Sequence, residues 1–504
     1  MKKIYLAILF LAGLLVTSCD MDKRPYGKLD DQSAIQGVND CLRFRNGLYG
    51  SFRGLTTGSY VYSTDIQADL FHGTIANGNR VGLISNGNIL SSDGDIKAYW
   101  AGLYSVINSA NYLLEKIETL LKSDVFSEEE IRNIKRYEGE ARFIRAYAYY
   151  WLADHFCQAY SAEKGDTPAL GLPIVTVYHP TGDSSVYPGR STQNELYSFI
   201  EQEMGDAYNA LVEFEKANNE NIAPNAIYLS SYAVLAFQAR LALLKGDNAT
   251  ALSKAEEVIN SGKYPLTEIT DYEALWTKDE GSEVIFRSFM SNTELGNSTG
   301  STYLSYNLDN ADYIPTFDVL ELYGDEGDIR FDTYFEVWAL TDSKTQAYVF
   351  KKYPGNESLK TGAQPNYRNM SKVFRTSELY LIAAEAAVNT NPTLANKYLN
   401  DLRKKRIAGY EESNYSGQGL VNAIRTERLK ELLGEGFRLS DLRRWGLGFK
   451  RNPSHPENPA IENIVVKLGA DLSYEASDYR FVWPIPTDEM QNNPQLNGQQ
   501  NPGY

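Results

Sequence analysis

Three cysteines in 504 residues are too few for a disulfide-stapled scaffold. The four histidines (His72, His155, His179 and His455) are isolated and form no H-E-x-x-H spacing, so no zinc-hydrolase motif is present. Cations are in deficit. The 49 Lys and Arg against 65 Asp and Glu give a formal net charge of −16, and a nucleic-acid partner would need clustered Lys and Arg. No Walker loop or dinucleotide fingerprint occurs, so nucleotide use has no support. Beyond one N-terminal run, no stretch approaches the ~18 apolar residues of a membrane span. Global disorder is excluded by 43% hydrophobic and 12% aromatic content. Tyrosine is the excess: 36, against 20 Phe and 6 Trp. Its apolar face and polar tip suit half-buried positions.

The N-terminus carries an address. Met1-Lys2-Lys3 is a basic start, and the apolar run Ile4 to Val16 falls short of the ~20 residues that cross a bilayer. Val16-Thr17-Ser18-Cys19 follows and looks like a bacterial lipobox. That resemblance implies cleavage before Cys19 and acylation of its thiol. Residues 1–18 then read as a lipoprotein signal peptide and residues 19–33 as a flexible polar tether. The expectation for 34–504 is a single domain. Cys41 and Cys157 lie in helical, apolar patterns and read as buried thiols, although a disulfide between them is open outside the cytoplasm.

Helical periodicity dominates the body. Lys97 to Leu121 repeats Leu103, Ile107, Ala110 and Leu114 on one face. Ser127 followed by three glutamates starts a helix predicted to reach Phe156. Helices are predicted over Gln193–Phe214 and Pro224–Leu244, then across the Gly246-Asp247 break to Ser261-Gly262. Ser377–Val388 is Ala-rich, and Asn391-Pro392 caps the helix after it. Small residues, a tight turn and a second amphipathic helix resemble tetratricopeptide pairs, without a strict period. Short strands are predicted at Glu283–Phe289, Ala347–Lys351 and Tyr479–Trp483. The fold expectation is mainly α: a TPR-like helical-pair scaffold over roughly 34–265 and 372–446. Loop-rich segments, roughly 70–96, 266–371 and 447–504, break its rhythm. The longest irregular excursions are Gly73–Gly94 and Ser291–Tyr313, and loops of that length in compact proteins are commonly functional.

Five blocks carry a family resemblance. They are Tyr99-Trp100 through Leu114; Glu140 to Tyr147 with Gly171-Leu172-Pro173; Ser377 to Ala386; Glu427-Arg428 through Arg444-Trp445; and Pro484-Ile485-Pro486 with the final Asn501-Pro502-Gly503-Tyr504. In this order, behind a lipobox, they resemble the SusD/RagB family, outer-membrane glycan-binding lipoproteins of Gram-negative polysaccharide-utilisation systems. The resemblance implies a SusD-like α/α superhelix. It also implies a non-enzymatic protein that faces outside the cell, binds an oligosaccharide or polysaccharide, and delivers it to a SusC-like TonB-dependent transporter. Two other readings remain open: a lipid-anchored glycoside hydrolase of the same locus, and a protein-binding surface scaffold.

Within this frame the chemistry-bearing residues sort themselves. Glu427, Glu431 and Glu435 are four apart and predict one helix face needing cations, with Arg438, Arg443 and Arg444 the nearest in sequence. Side-by-side carboxylates cannot flank a glycosidic bond, so a structural ion network is the expectation. Arg142 and Arg145 are expected to pair with acids such as Glu138, and Trp100 and Trp445 to be core. Gly296-Asn297-Ser298-Thr299-Gly300 matches G-x-S-x-G but lacks the strand–turn–helix context of a nucleophile. The acidic turns Asp93–Asp95 and Asp325–Asp328 could meet Ca²⁺, but neither has EF-hand spacing, so no cofactor is expected. Sugar binding asks for aromatic faces with a polar rim. The first excursion and the residues just before it offer Asp69, His72, Asn77, Asn79 and Arg80; the second offers Tyr303, Tyr306 and Tyr313.

Overall fold

The computed structural model describes residues 34–218, 226–305, 310–340 and 344–504. The expected signal peptide, Cys19 and the tether lie outside the described residues, as does Tyr306. The principal helices are α1 (Val38–Leu55), α2 (Ser59–Gln67), α3 (Gly94–Leu121), α4 (Glu128–Phe156), α5 (Gln193–Asn218), α6 (Ser231–Lys245), α7 (Asn248–Asn260), α8 (Thr376–Ala387), α9 (Pro392–Arg403), α10 (Gly417–Leu432) and α11 (Arg438–Arg444). Their ends follow local chemistry. Asp93 caps α3 by accepting from the Asp95 N–H, and Ser127 and Glu130 form a reciprocal capping box on α4. Ser230 caps α6, which is why that helix begins later than its apolar pattern suggests. Gly246 closes it in the left-handed conformation at φ 76°. Asn391 caps α9 ahead of Pro392.

α3, α4 and α5 pack in succession, and α6, α7, α8 and α9 extend the stack. Aromatic rings of α4 hold it together. Phe143 meets Phe237 of α6 at 5.4 Å between centroids, and Tyr147 meets Phe52 of α1 at 5.0 Å. Cys41 and Cys157 are free, buried thiols in this core. Trp100 is core as expected. Trp445 is not: it is half-buried, donates to Glu385 at 2.7 Å and lies under the Arg425 guanidinium.

Strands are few and paired in twos: β1 (Phe71–Gly73) with β3 (Tyr313–Pro315), β2 (Val284–Arg287) with β6 (Lys372–Arg375), β4 (Phe335–Leu340) with β5 (Thr345–Phe350), and β7 (Phe449–Lys450) with β8 (Ser473–Tyr474). The strand expected at Tyr479–Trp483 is instead a 3₁₀ turn over Tyr479–Phe481. Asp478 caps that turn, and the Trp483 N–H is taken by the His155 carbonyl.

Glu427 and Glu431 are fully buried on α10, but the helix stops at Leu432, so Glu435 reaches the same cluster from the following turn. The expected local cations are committed elsewhere: Arg438 to Asp69, Arg443 to Asp154 and Arg444 to Glu385. The counter-charges arrive from distant segments. Arg406 bonds Glu431 at 3.0 Å and Glu283 at 2.7 Å, Arg330 bonds Glu427 at 2.7 Å, and Arg375 and Lys352 bond Glu435 at 2.6 and 2.7 Å. Arg142 and Arg145 pair with Glu138 and Glu203 as structural ions.

Asp65 of α2 ties this cluster to the N-terminal helices. Its carboxyl accepts the Gly436 and Arg438 N–H groups at 2.9 and 3.2 Å, yet burial pushes it up to about 7. A carboxyl raised in the folded state contributes fully below its unfolded value of 3.8 and loses that contribution as pH rises through about 7. Asp65→Asn is therefore expected to flatten the fall of Tm across that window. Melting curves of the two proteins at stepped pH check this; parallel slopes would remove Asp65 from the account.

Candidate functional site

The two irregular excursions meet in the β1–β3 ladder, where Phe71 faces Pro315, His72 faces Ile314 and Gly73 faces Tyr313. That pairing buries much of what sequence reasoning left exposed. Tyr303 is fully buried, its ring 4.8 Å from Phe71 and 4.9 Å from Phe350, with no partner for its hydroxyl. Tyr313 is also fully buried and donates to the Arg80 carbonyl at 2.5 Å. His72 is enclosed on β1, and burial draws its imidazole down to about 3. These three belong to the core of the junction rather than to a sugar-facing surface. Their excursions are polar in composition but cover an aromatic centre, so their few rings turn inward.

The remaining residues in or just before the first excursion stay near the surface. Asp69 is bridged by Arg438 at 2.7 and 2.8 Å. Asn77 accepts the Asn79 N–H at 2.7 Å, Asn79 holds φ 63°, and exposed Arg80 pairs with Asp312 at 2.6 Å. Asn77, Asn79 and Arg80 thus form a polar rim. The Gly296–Gly300 pattern makes no nucleophile: Ser298 donates to the Tyr367 carbonyl at 2.8 Å and a 3₁₀ turn follows it. The acidic turns are also occupied, Asp93 as a helix cap and Asp328 by Arg330 and Lys430.

A groove of about 240 Å³ opens beside this junction. Its walls are the short helices Phe317–Glu321 and Ile329–Tyr334, the β4–β5 hairpin and the segment 455–461. Phe331 and Tyr348 present half-buried faces 5.5 Å apart between centroids, and Phe317 lies 6.3 Å from His455. Gln346 and Asn458 stand at the lip, with Asn458 donating to the Gln346 carbonyl at 2.6 Å, and Glu321 and Glu457 add exposed carboxylates. The segment just beyond, Ile464–Val466, docks the first excursion through hydrogen bonds with Ile75 and Gly73. Sequence reasoning missed β4 and the aromatic wall. The one available signal was the alternation in Thr345–Phe350, which turns Ala347 and Val349 inward and leaves Tyr348 half-exposed. A larger cleft, about 850 Å³, lies against α3 and the loop 173–188; its Tyr104 and Tyr187 hydroxyls are spent on the Pro173 and Thr181 carbonyls.

Among the described residues, no group of three or more His, Cys, Asp or Glu side chains is gathered for a metal ion. No described helix is long and apolar enough to cross a membrane.

Two family models match the chain: one described as the SusD family over residues 339–504, another described as "starch-binding associating with outer membrane" over residues 54–243. The SusD-like protein P25 of Formosa agariphila is 24% identical over 449 residues, covering 79% of this chain and 77% of its own. A SusD superfamily protein from Bacteroides thetaiotaomicron, solved by crystallography, superposes with a TM-score of 0.78 at 28% identity, over 93% of this chain and 100% of its own. A laminarin-binding SusD-like protein superposes at 0.69 with 21% identity, over 93% and 100%. One family model spans α2 to α6, the other much of the charged cluster and the C-terminus, and the Bacteroides thetaiotaomicron structure superposes over 93% of the chain: the chain belongs to the SusD/RagB family.

Proposed function

We propose that the protein captures oligosaccharides non-catalytically in the Phe331–Tyr348 groove and hands them to a SusC-like TonB-dependent transporter. In this reading an acyl chain on Cys19 holds it at the outer membrane, facing outside. The observation that carries the proposal is the pairing of half-exposed aromatic faces with an amide and carboxylate lip in one concave site. A sugar ring buries its C–H face on such rings while its hydroxyls exchange water for side-chain partners. At about 240 Å³ the groove is smaller than the ~300–1,000 Å³ of drug-sized pockets, so it suits a short stretch of a longer glycan chain. Starch and laminarin, named for the matched model and one relative, make neutral glucans the first ligands to try. A lipid tether would raise the effective concentration of the binding site beside its transporter.

The test is a glycan array followed by calorimetry with the tether removed. Phe331→Ala/Tyr348→Ala is expected to weaken the best ligand at least tenfold, whereas Tyr187→Ala in the larger cleft leaves affinity unchanged. Full affinity in a folded double variant would sink the groove assignment. Release of new reducing ends during incubation would favour the glycoside-hydrolase reading instead.

A further inference from the structure

The four histidines are scattered in sequence, but the fold brings two of them together. His72 of β1 and His455 of the groove wall lie 5.7 Å apart between ring centroids, their planes at 57°. Both are almost wholly buried, at 0% and 2% exposure. The His72 Nε2 is 2.9 Å from the Asn452 carbonyl, a contact that makes sense only if Nε2 carries the proton. Its Nδ1 is then a bare lone pair, buried without a hydrogen-bond partner, and the His455 Nε2 is likewise buried and unpartnered. Two orphaned ring nitrogens on neighbouring imidazoles are costly to leave empty.

We propose that His72 Nδ1 and His455 Nε2 together bind one divalent ion of the zinc, copper and nickel class. Metal–nitrogen bonds of ~2.0–2.1 Å from two imidazoles to one ion would separate the ring centroids by roughly 5–6 Å, which contains the observed spacing. The Asn452 carbonyl plays the outer-shell part, fixing the tautomer that leaves Nδ1 free to ligate. Asp318 and Glu462 favour positive charge at His455, and Asn452 links to Asp318 at 3.3 Å. Arg451 opposes a cation at His72. With two protein ligands and this opposing charge, the affinity is moderate, and the other coordination positions fall to water or to a molecule in the groove. His455 lines the groove, which supplies the entry path. The site does not depend on sugar binding, and its test uses the metal alone.

A tag-free chain stripped with chelator is titrated calorimetrically with Zn²⁺ and Cu²⁺. One ion per chain is expected, with Cu²⁺ the tighter, while Ca²⁺ and Mg²⁺ give no heat because they prefer oxygen ligands. His455→Gln and His72→Gln should each weaken binding at least tenfold, and His179→Gln, at an exposed site, should not. If His72→Gln fails to fold, X-ray absorption of the Zn²⁺-loaded wild type replaces it and should count two imidazole nitrogens. Flat titrations would leave a bridging water as the occupant and overturn the proposal, as would saturable binding that survives in His455→Gln or is lost in His179→Gln.

Discussion

Glu431→Gln is expected to destabilise the protein by about 3–5 kcal/mol, the usual consequence of removing one partner from a buried ion pair. The Glu431 carboxylate is fully buried and meets three guanidinium groups, those of Arg330, Arg375 and Arg406. An amide of the same shape keeps the packing but leaves those cations short of counter-charge in a dry interior. The three guanidiniums hold the carboxyl well below the ordinary 4.5. A depressed value in the folded state means that the contribution is present above about 4.5 and is lost as pH falls through the folded value. The gap between variant and wild type should therefore be widest near neutrality and close in acid. Urea denaturation at several pH values measures it. A variant of wild-type stability that had lost glycan affinity would instead move Glu431 into the binding machinery.

Gly436→Ala should be nearly as damaging, at about 3 kcal/mol or more, through backbone strain combined with a steric clash. Gly436 holds φ 86°, in the region that disfavours a side chain, and an added Cβ would lie 2.5 Å from the Val61 carbonyl oxygen of α2. Relief of that clash would pull the Gly436 N–H away from Asp65, one of the bonds that join α2 to the turn after α10. Gly446→Ala is the control. It has φ 64° but open space around the missing Cβ, so it bears strain alone, about 1 kcal/mol. Thermal melts of the two variants should differ clearly, and equal losses would mean that α2 yields to the extra methyl.

These two sites also show what sequence reading could and could not reach. Helices were legible because their signals are local: Ser127 with Glu130, or Asn391 with Pro392, sit within one turn of what they cap. The need of Glu427 and Glu431 for cations was legible too, but not the identity of Arg330, Arg375 and Arg406, since nothing local announces which distant arginine will arrive. The same limit misplaced the aromatic residues. Tyr303 and Tyr313 stood in Ser- and Asn-rich surroundings that read as surface, while the β1–β3 pairing that encloses them joins segments more than two hundred residues apart. Phe331 and Tyr348 carry no local signal of a site, because a half-exposed ring on a short helix or a strand looks like any other until the groove wall is assembled.

The ties between Asp65 and Gly436, between His155 and Trp483, and between Phe156 and Asn501 set an order on biosynthesis. A ribosome delivers α1 to α4 long before it makes the residues that complete their carboxylate, carbonyl and ring contacts. The early helices can form as they emerge, but the carboxyl of Asp65 waits for Gly436 and Arg438, and the carbonyls of His155 and Phe156 wait for Trp483 and Asn501. Truncations that remove Trp483 and Asn501 should therefore destabilise helices made far earlier, and a nascent chain still lacking them would remain a substrate for chaperones and proteases until they dock.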